Sequence, residues 1–181
     1  SLAVPFYNEE EAIEHFFDVV LPILDGLSVS SEIVCVNDGS HDKTWEMLCH
    51  RADLDERVRA IDLSRNFGKE AALTAALDHC RGAAIIPIDA DLQDPPELIP
   101  EMVEKWKNGY EVVLAKRKSR DTDTFSKKQT SKGFFHILNM MADIEIPADV
   151  GDFRLIDRKV LEAMGQLNEQ NRFMKGLFAW V

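Results

Sequence analysis

The residues best suited to chemistry are Asp89 and Asp91, separated only by Ala90, with Gln93 two positions on. Two carboxylates flanking one residue repel each other unless a cation sits between them. Hard divalent ions such as Mg²⁺ accept oxygen ligands and commonly bridge one or two carboxylates to substrate phosphates. Gln93 adds a neutral carbonyl oxygen on the same side of an extended segment. A lone pair of this kind is most often a solvated acidic turn. Its position changes the weighting, because the pair follows directly on the apolar run Ala83 to Ile88.

Other polar clusters occupy the same kind of place. Tyr7-Asn8-Glu9 follows the apolar run Leu2 to Pro5, and Asn37-Asp38-Gly39-Ser40 closes the run that begins at Glu32. Arg65-Asn66 follows Val58 to Leu63, and Lys116-Arg117 follows Val112 to Ala115. Between these runs lie helical patterns over Glu9–Leu24, from Ser40 or Asp42 through Cys49, over Lys69–Cys80 and over Glu97–Lys107. Glu9, Glu10 and Glu11 are expected in a first helical turn, Gly26 as a stop, and Ser40 or Asp42 as a cap. Further on, the pattern predicts a helix over Phe125–Met141, a loop from Ile146-Pro147, a strand over Gly151–Ile156 and a helix over Arg158–Met164. Alternating strands and helices imply an α/β domain with a mostly parallel central sheet and helices on both faces. Ligands bind outside the carboxyl ends of such strands. Five clusters converging on one edge make a binding crevice a better reading than five separate caps.

Composition bounds the partners. The chain has 181 residues and a formal net charge of −11, from 32 acids and 21 bases. A general nucleic-acid binder carries a basic footprint, so nucleic acid is not expected as a partner. The charge is uneven. Residues 1–100 carry 20 acids and 7 bases, whereas residues 116–132 carry 7 bases and 2 acids. Anionic bilayer surfaces attract such basic segments by about 1 kcal/mol per residue near the surface. Cys35, Cys49 and Cys80 lack any paired spacing and read as reduced thiols. No apolar run approaches the roughly 18 residues of a membrane span. Glycine-rich phosphate loops of the GxGxxG and GxxxxGK types are missing, as are HExxH and GxSxG. The five histidines are scattered, and none receives a catalytic role.

Pro5-Phe6-Tyr7-Asn8-Glu9-Glu10, Val36-Asn37-Asp38-Gly39-Ser40 and Asp89-Ala90-Asp91-Leu92-Gln93-Asp94-Pro95 resemble the inverting family-2 glycosyltransferases of GT-A fold. Arg65 to Glu70, Ala115-Lys116-Arg117, Val150 to Leu155 and Asn171 to Gly176 are similar to the polyprenyl-phosphate glycosyltransferases. That group includes dolichyl-phosphate mannose synthase and the bactoprenol glucosyltransferases, with the bactoprenol branch nearest. The resemblance implies that Pro5, Tyr7, Asn8 and Glu9 hold the base and ribose of a nucleotide-diphospho-sugar. It gives Asp38 a nucleoside contact and places Lys69, Arg172 and Lys175 on the donor. Asp89, Asp91 and Gln93 become the site of Mg²⁺ or Mn²⁺ and the diphosphate. Arg117 and Arg154 meet the acceptor phosphate, and Asp152 orients the acceptor or acts as a base.

The expectation is therefore metal-dependent, inverting transfer of a hexose to polyprenyl (bactoprenol) phosphate. Glucose from a uridine donor is the favoured pair, and the expected place is the cytoplasmic face of the cell membrane. A transferase acting on a glycan hydroxyl and a non-catalytic nucleotide-sugar-binding protein are the alternatives. Homo-oligomerisation is left open. Residues 1–115 are expected to form the nucleotide-sugar half of a single domain spanning 1–181, and residues 116–181 its acceptor side. Members of this group continue into amphipathic and transmembrane helices. The chain stopping at Val181 leads to the expectation of a catalytic domain without its membrane region.

Overall fold

A computed structural model describes residues 1–116 and 150–165. Arg117, Arg172, Lys175 and the helix expected over Phe125–Met141 lie outside the described residues. The strands are β1 (Leu2–Phe6), β2 (Ile33–Asn37), β3 (Val58–Asp62), β4 (Ala84–Pro87), β5 (Val112–Lys116) and β6 (Val150–Asp157). The helices are α1 (Ile13–Asp25), α2 (Thr44–Leu54), α3 (Lys69–His79), α4 (Ile99–Lys107) and α5 (Arg158–Gly165), with a short 3₁₀ turn at Pro96–Leu98.

One six-stranded sheet runs in the order β3-β2-β1-β4-β6-β5. β1, β2, β3 and β4 pair in parallel, whereas β6 is antiparallel to both of its neighbours. The late strand β6 thus inserts between β4 and β5, which share one direction but do not touch. The expected mostly parallel sheet is present, with this one reversal. The reversal places the start of β6 at the same edge as the end of β5, since Val150 pairs with Lys116. Asp152 therefore lies two residues in from the edge where the parallel strands end.

Alternation along the strands sorts the core into two layers. Leu2, Val4, Phe6, Ile33, Cys35, Ile86, Phe153 and Leu155 face α1, α2 and α4. Ala3, Val34, Val36 and Ile85 face α3 and α5. The first layer is aromatic. Phe16 of α1 meets Phe6 edge-on with ring centroids 5.7 Å apart and Phe17 at 5.3 Å. Burying each such ring contributes about 2–3 kcal/mol. The second layer is built from small residues, Ala72 and Ala76, so α3 packs close to the sheet. Burial pushes the thiols of Cys35 and Cys80 up, Cys80 to about 11, while Cys49 is only partly covered.

The boundaries depart from the sequence expectation in one informative place. Glu9, Glu10 and Glu11 precede α1 rather than forming its first turn, which holds only Glu14. Their backbone is engaged elsewhere. Glu9 N–H donates to Thr44 Oγ1 at 2.8 Å and Glu10 N–H to Asp42 Oδ2 at 3.2 Å. Glu10 Oε2 in turn accepts from Lys43 N–H at 3.0 Å. These bonds tie the β1–α1 loop to the β2–α2 loop and give partners to amides that a first helical turn would leave without one. Of the two expected caps, Asp42 accepts from Thr44 N–H at the start of α2, while Ser40 is diverted to Asn8 N–H. α2 also continues past Cys49 to Leu54.

Candidate active site

The chain leaves β1 toward β2 and β3 on one side and returns to β4 on the other. That makes the gap between the ends of β1 and β4 a topological switch point, where open sheets hold their ligands. A cleft of about 260 Å³ opens there, walled by Tyr7 and Glu9 after β1, Asp38 after β2, Lys69 at the start of α3, and Asp89 and Asp91 after β4. Pro5, Phe6, Asn66, Gly68, Ala72 and Ala90 complete it. The structure thus brings together seven residues expected from sequence to hold a nucleotide-sugar: Pro5, Tyr7, Glu9, Asp38, Lys69, Asp89 and Asp91.

The loops around the cleft brace one another. Asn8 adopts a left-handed conformation with φ 53°. Its Oδ1 accepts His41 N–H at 2.9 Å, and its own N–H reaches Ser40 Oγ at 2.9 Å. Asn8 therefore joins two loops instead of lining the cleft. Asn37 is buried at the end of β2, where its Nδ2 donates to Asp62 Oδ1 at 2.7 Å and its Oδ1 accepts Ser40 N–H at 3.3 Å.

Asp38 is 2% exposed, and both of its oxygens are engaged. Oδ1 accepts Phe67 N–H at 2.7 Å, and Oδ2 accepts Gly68 N–H at 2.9 Å. The side chain at the rim of the expected nucleoside pocket is thus also the anchor of the β3–α3 loop. Gly39 makes the approach possible, with φ +62° and a backbone so close that a Cβ would stand 2.4 Å from the Arg65 carbonyl carbon. Sequence reasoning missed this anchoring. The Asp-Gly pair announced only a turn.

Asp89 and Asp91 have different companions. Lys69 Nζ donates to Asp89 Oδ2 at 2.6 Å across the cleft. Asp91 Oδ2 accepts Gln93 Nε2 at 2.8 Å, and its Oδ1 accepts Gln93 N–H at 3.3 Å. The turn is held by Leu92, which takes a positive φ of 51° and donates its N–H to Asp89 O at 3.2 Å. Glu9 feels the concentration of charge. Burial raises its pKa above the usual carboxylate range, and Asp91, Asp42 and Asp89 push it further in that order.

Among the described residues, no group of three or more His, Cys, Asp and Glu side chains is arranged to hold a metal ion. The donors present are two carboxylates and one carboxamide, all hard oxygen ligands, beside a glutamate destabilised by neighbouring negative charge. That set fits Mg²⁺ or Mn²⁺ completed by substrate phosphate oxygens. Arg154 lies elsewhere. It is 7% exposed within β6, opposite Leu114, and does not line the cleft.

The sequence profile of glycosyl transferase family 2 matches residues 1–165. The chain belongs to that family. Over all 181 residues it is 52% identical to the uncharacterized glycosyltransferase sll0501 of Synechocystis sp.. It is 48% identical to a prophage bactoprenol glucosyl transferase homolog of Escherichia coli. It covers 57% and 59% of those two proteins, so this family-2 chain spans less than three fifths of the relatives' length. Among solved structures, it is similar to a mannosyltransferase of Pyrobaculum calidifontis in complex with GDP-Man and Mn²⁺. The TM-score is 0.61 at 22% identity, over 91% of this chain and 46% of that one. Glucosyl-3-phosphoglycerate synthase of Mycobacterium tuberculosis in complex with UDP gives a TM-score of 0.60 at 23% identity, over 88% and 56%. These structural likenesses establish the GT-A type fold of the family-2 chain. Among the described residues, no helix is long and apolar enough to cross a membrane.

Proposed function

We propose that the protein transfers a hexose, glucose, from a uridine-diphosphate sugar to a polyprenyl phosphate, with inversion at the anomeric carbon and with Mg²⁺ or Mn²⁺. The observation that carries this reading is the acidic cleft at the β1/β4 switch point, in a chain 48% identical along its whole length to a bactoprenol glucosyl transferase homolog. The Tyr7–Glu9 loop and Asp38 supply polar and aromatic groups for a nucleoside. Asp89 and Asp91 sit where a diphosphate would follow. Asp89, Asp91 and Gln93 would hold the metal ion, whose chemistry when bound would be to neutralise charge on the departing nucleoside diphosphate.

The protein's own contribution is positioning. An acceptor phosphate oxygen attacks the anomeric carbon in line, and the bond to the diphosphate breaks on the opposite side. A phosphate monoester is already largely ionised at neutral pH, with a second pKa of about 6. It therefore needs a general base less than a sugar hydroxyl does. The resemblance assigns the acceptor side to Arg117, Asp152 and Arg154 and further donor contacts to Arg172 and Lys175. In this proposal Arg117 meets the acceptor phosphate, Asp152 orients the acceptor, and Arg172 and Lys175 meet the diphosphate. The basic segment 116–132 suits an acceptor presented at an anionic membrane surface on the cytoplasmic side.

The test is incubation of the full-length protein in polyprenyl-phosphate-containing membranes with radiolabelled UDP-glucose and, in parallel, other nucleotide sugars. Label extractable into organic solvent from UDP-glucose is the expected result. No lipid-extractable label from any donor would refute the proposal.

A further inference from the structure

We propose that Lys69 is a stand-in cation for Asp89, so that divalent metal and nucleotide diphosphate enter the cleft cooperatively rather than independently. The inference rests on the metal-dependent donor site proposed above and concerns how that site is loaded.

Three observations converge. First, Lys69 Nζ lies 2.6 Å from Asp89 Oδ2, inside the distance at which a charge-assisted bond forms. An ion seeking that oxygen must displace an ammonium already there. Second, the pair is the only ion pair among the described residues that bridges two walls of the cleft, joining the start of α3 to the end of β4. Third, Lys69 is the first residue of α3, the end of a helix at which a cation is disfavoured by the dipole. A lysine placed there against local preference needs compensation, and Asp89 supplies it.

The pair is also weak enough to exchange. The Lys69 and Asp89 side chains are 62% and 35% exposed, so solvent screens their attraction. A metal ion arriving alone must either take Oδ2 from the ammonium or bind the other oxygen with the ammonium beside it. A diphosphate changes the balance, because its negative oxygens compete with Asp89 for Lys69. Asp89 is then released to the metal. Linkage makes the effect reciprocal: the factor by which nucleotide tightens metal is the factor by which metal tightens nucleotide. Such a site stays unloaded with metal alone and fills when both components are present.

The experiment measures Mn²⁺ binding to the full-length protein by the loss of the free-ion paramagnetic resonance signal, at low ionic strength. It compares the native protein with Lys69→Met and Lys69→Arg, each with no nucleotide and with saturating UDP or GDP. Removing the competing charge should tighten Mn²⁺ binding without nucleotide by about five- to tenfold in Lys69→Met. The enhancement by nucleotide should shrink by the same factor. Lys69→Arg keeps the charge and should stay near the native values. Raising the salt to 0.5 M should close the gap between native protein and Lys69→Met.

Native and Lys69→Met proteins that bind Mn²⁺ within twofold of each other without nucleotide would overturn the role of Lys69 and leave the metal site standing. No Mn²⁺ binding by the native protein, even with nucleotide, would overturn the metal-dependent reading and this inference together. Thermal melting confirms that the exposed substitution leaves the fold intact, and Lys69→Gln provides a second neutral variant.

Discussion

Replacing Asp38 by Asn isolates the contribution of a single buried carboxylate to the architecture of the cleft. Its two oxygens receive the Phe67 and Gly68 amides at 2.7 and 2.9 Å, and the side chain is 2% exposed. Asn preserves the shape and one acceptor but turns an NH₂ group toward the other amide. One hydrogen bond to a charged acceptor is lost, worth about 1.5–3 kcal/mol, and a buried N–H faces another donor. The expected cost is about 2–4 kcal/mol, a large share of the roughly 5–15 kcal/mol that holds a domain together.

Urea unfolding followed by tryptophan fluorescence reads the global part, as a lowered midpoint at unchanged slope. Should the loop open on its own, part of the cost appears locally instead. The Phe67 and Gly68 amides would then lose protection from hydrogen exchange while the strands keep theirs. A variant within 0.5 kcal/mol of the native protein, with unchanged exchange at both amides, would refute the reasoning that Asp38 anchors this loop.

Gly39→Ala should cost more than about 2 kcal/mol, because it forces a Cβ to 2.4 Å from Arg65 and strains a φ of +62°. Gly109→Ala, at φ +99° with open space around it, should cost about 1 kcal/mol in the same urea assay. The raised pKa of Glu9 fixes a sign. Between the ordinary glutamate value and the raised one, the folded state binds the extra proton, so this residue's contribution to stability falls as pH rises through that window. Glu9→Gln should therefore be more stable than the native protein at neutral pH, with the difference vanishing below the ordinary glutamate range in pH-dependent melting. Asp91→Ala should lower transfer by roughly a hundredfold or more in the membrane assay while moving the melting temperature little, since the side chain is exposed. Unchanged turnover would remove Asp91 from the diphosphate site.

The residues that meet in the candidate cleft were largely legible in the sequence. Polar clusters follow apolar runs at Tyr7, Asp38 and Asp89, and in an alternating α/β chain those positions share one edge by construction. Their division of labour was not legible. Asn8 reads as a binding residue but ties Ser40 and His41 to β1. Asp38 reads as a ligand contact and also serves as an anchor. Glu9 to Glu11 read as a helix start, yet the Glu9 and Glu10 amides bond to the β2–α2 loop. In each case the deciding partner lies about thirty residues away in the chain.

The local elements, their alternation and the chemical character of each loop are written in the chain, because they depend on side chains one turn or one strand apart. The folded sheet settled which distant groups meet. It reversed β6 between β4 and β5, placing Asp152 near the ligand edge and burying Arg154 within the sheet opposite Leu114. It set Lys69 against Asp89, twenty residues apart, and closed the Phe67–Gly68 loop onto Asp38. A hydrophobic period records which face of an element is buried but not which element covers it. Strand order and cross-cleft pairs therefore emerge only when the whole sheet assembles.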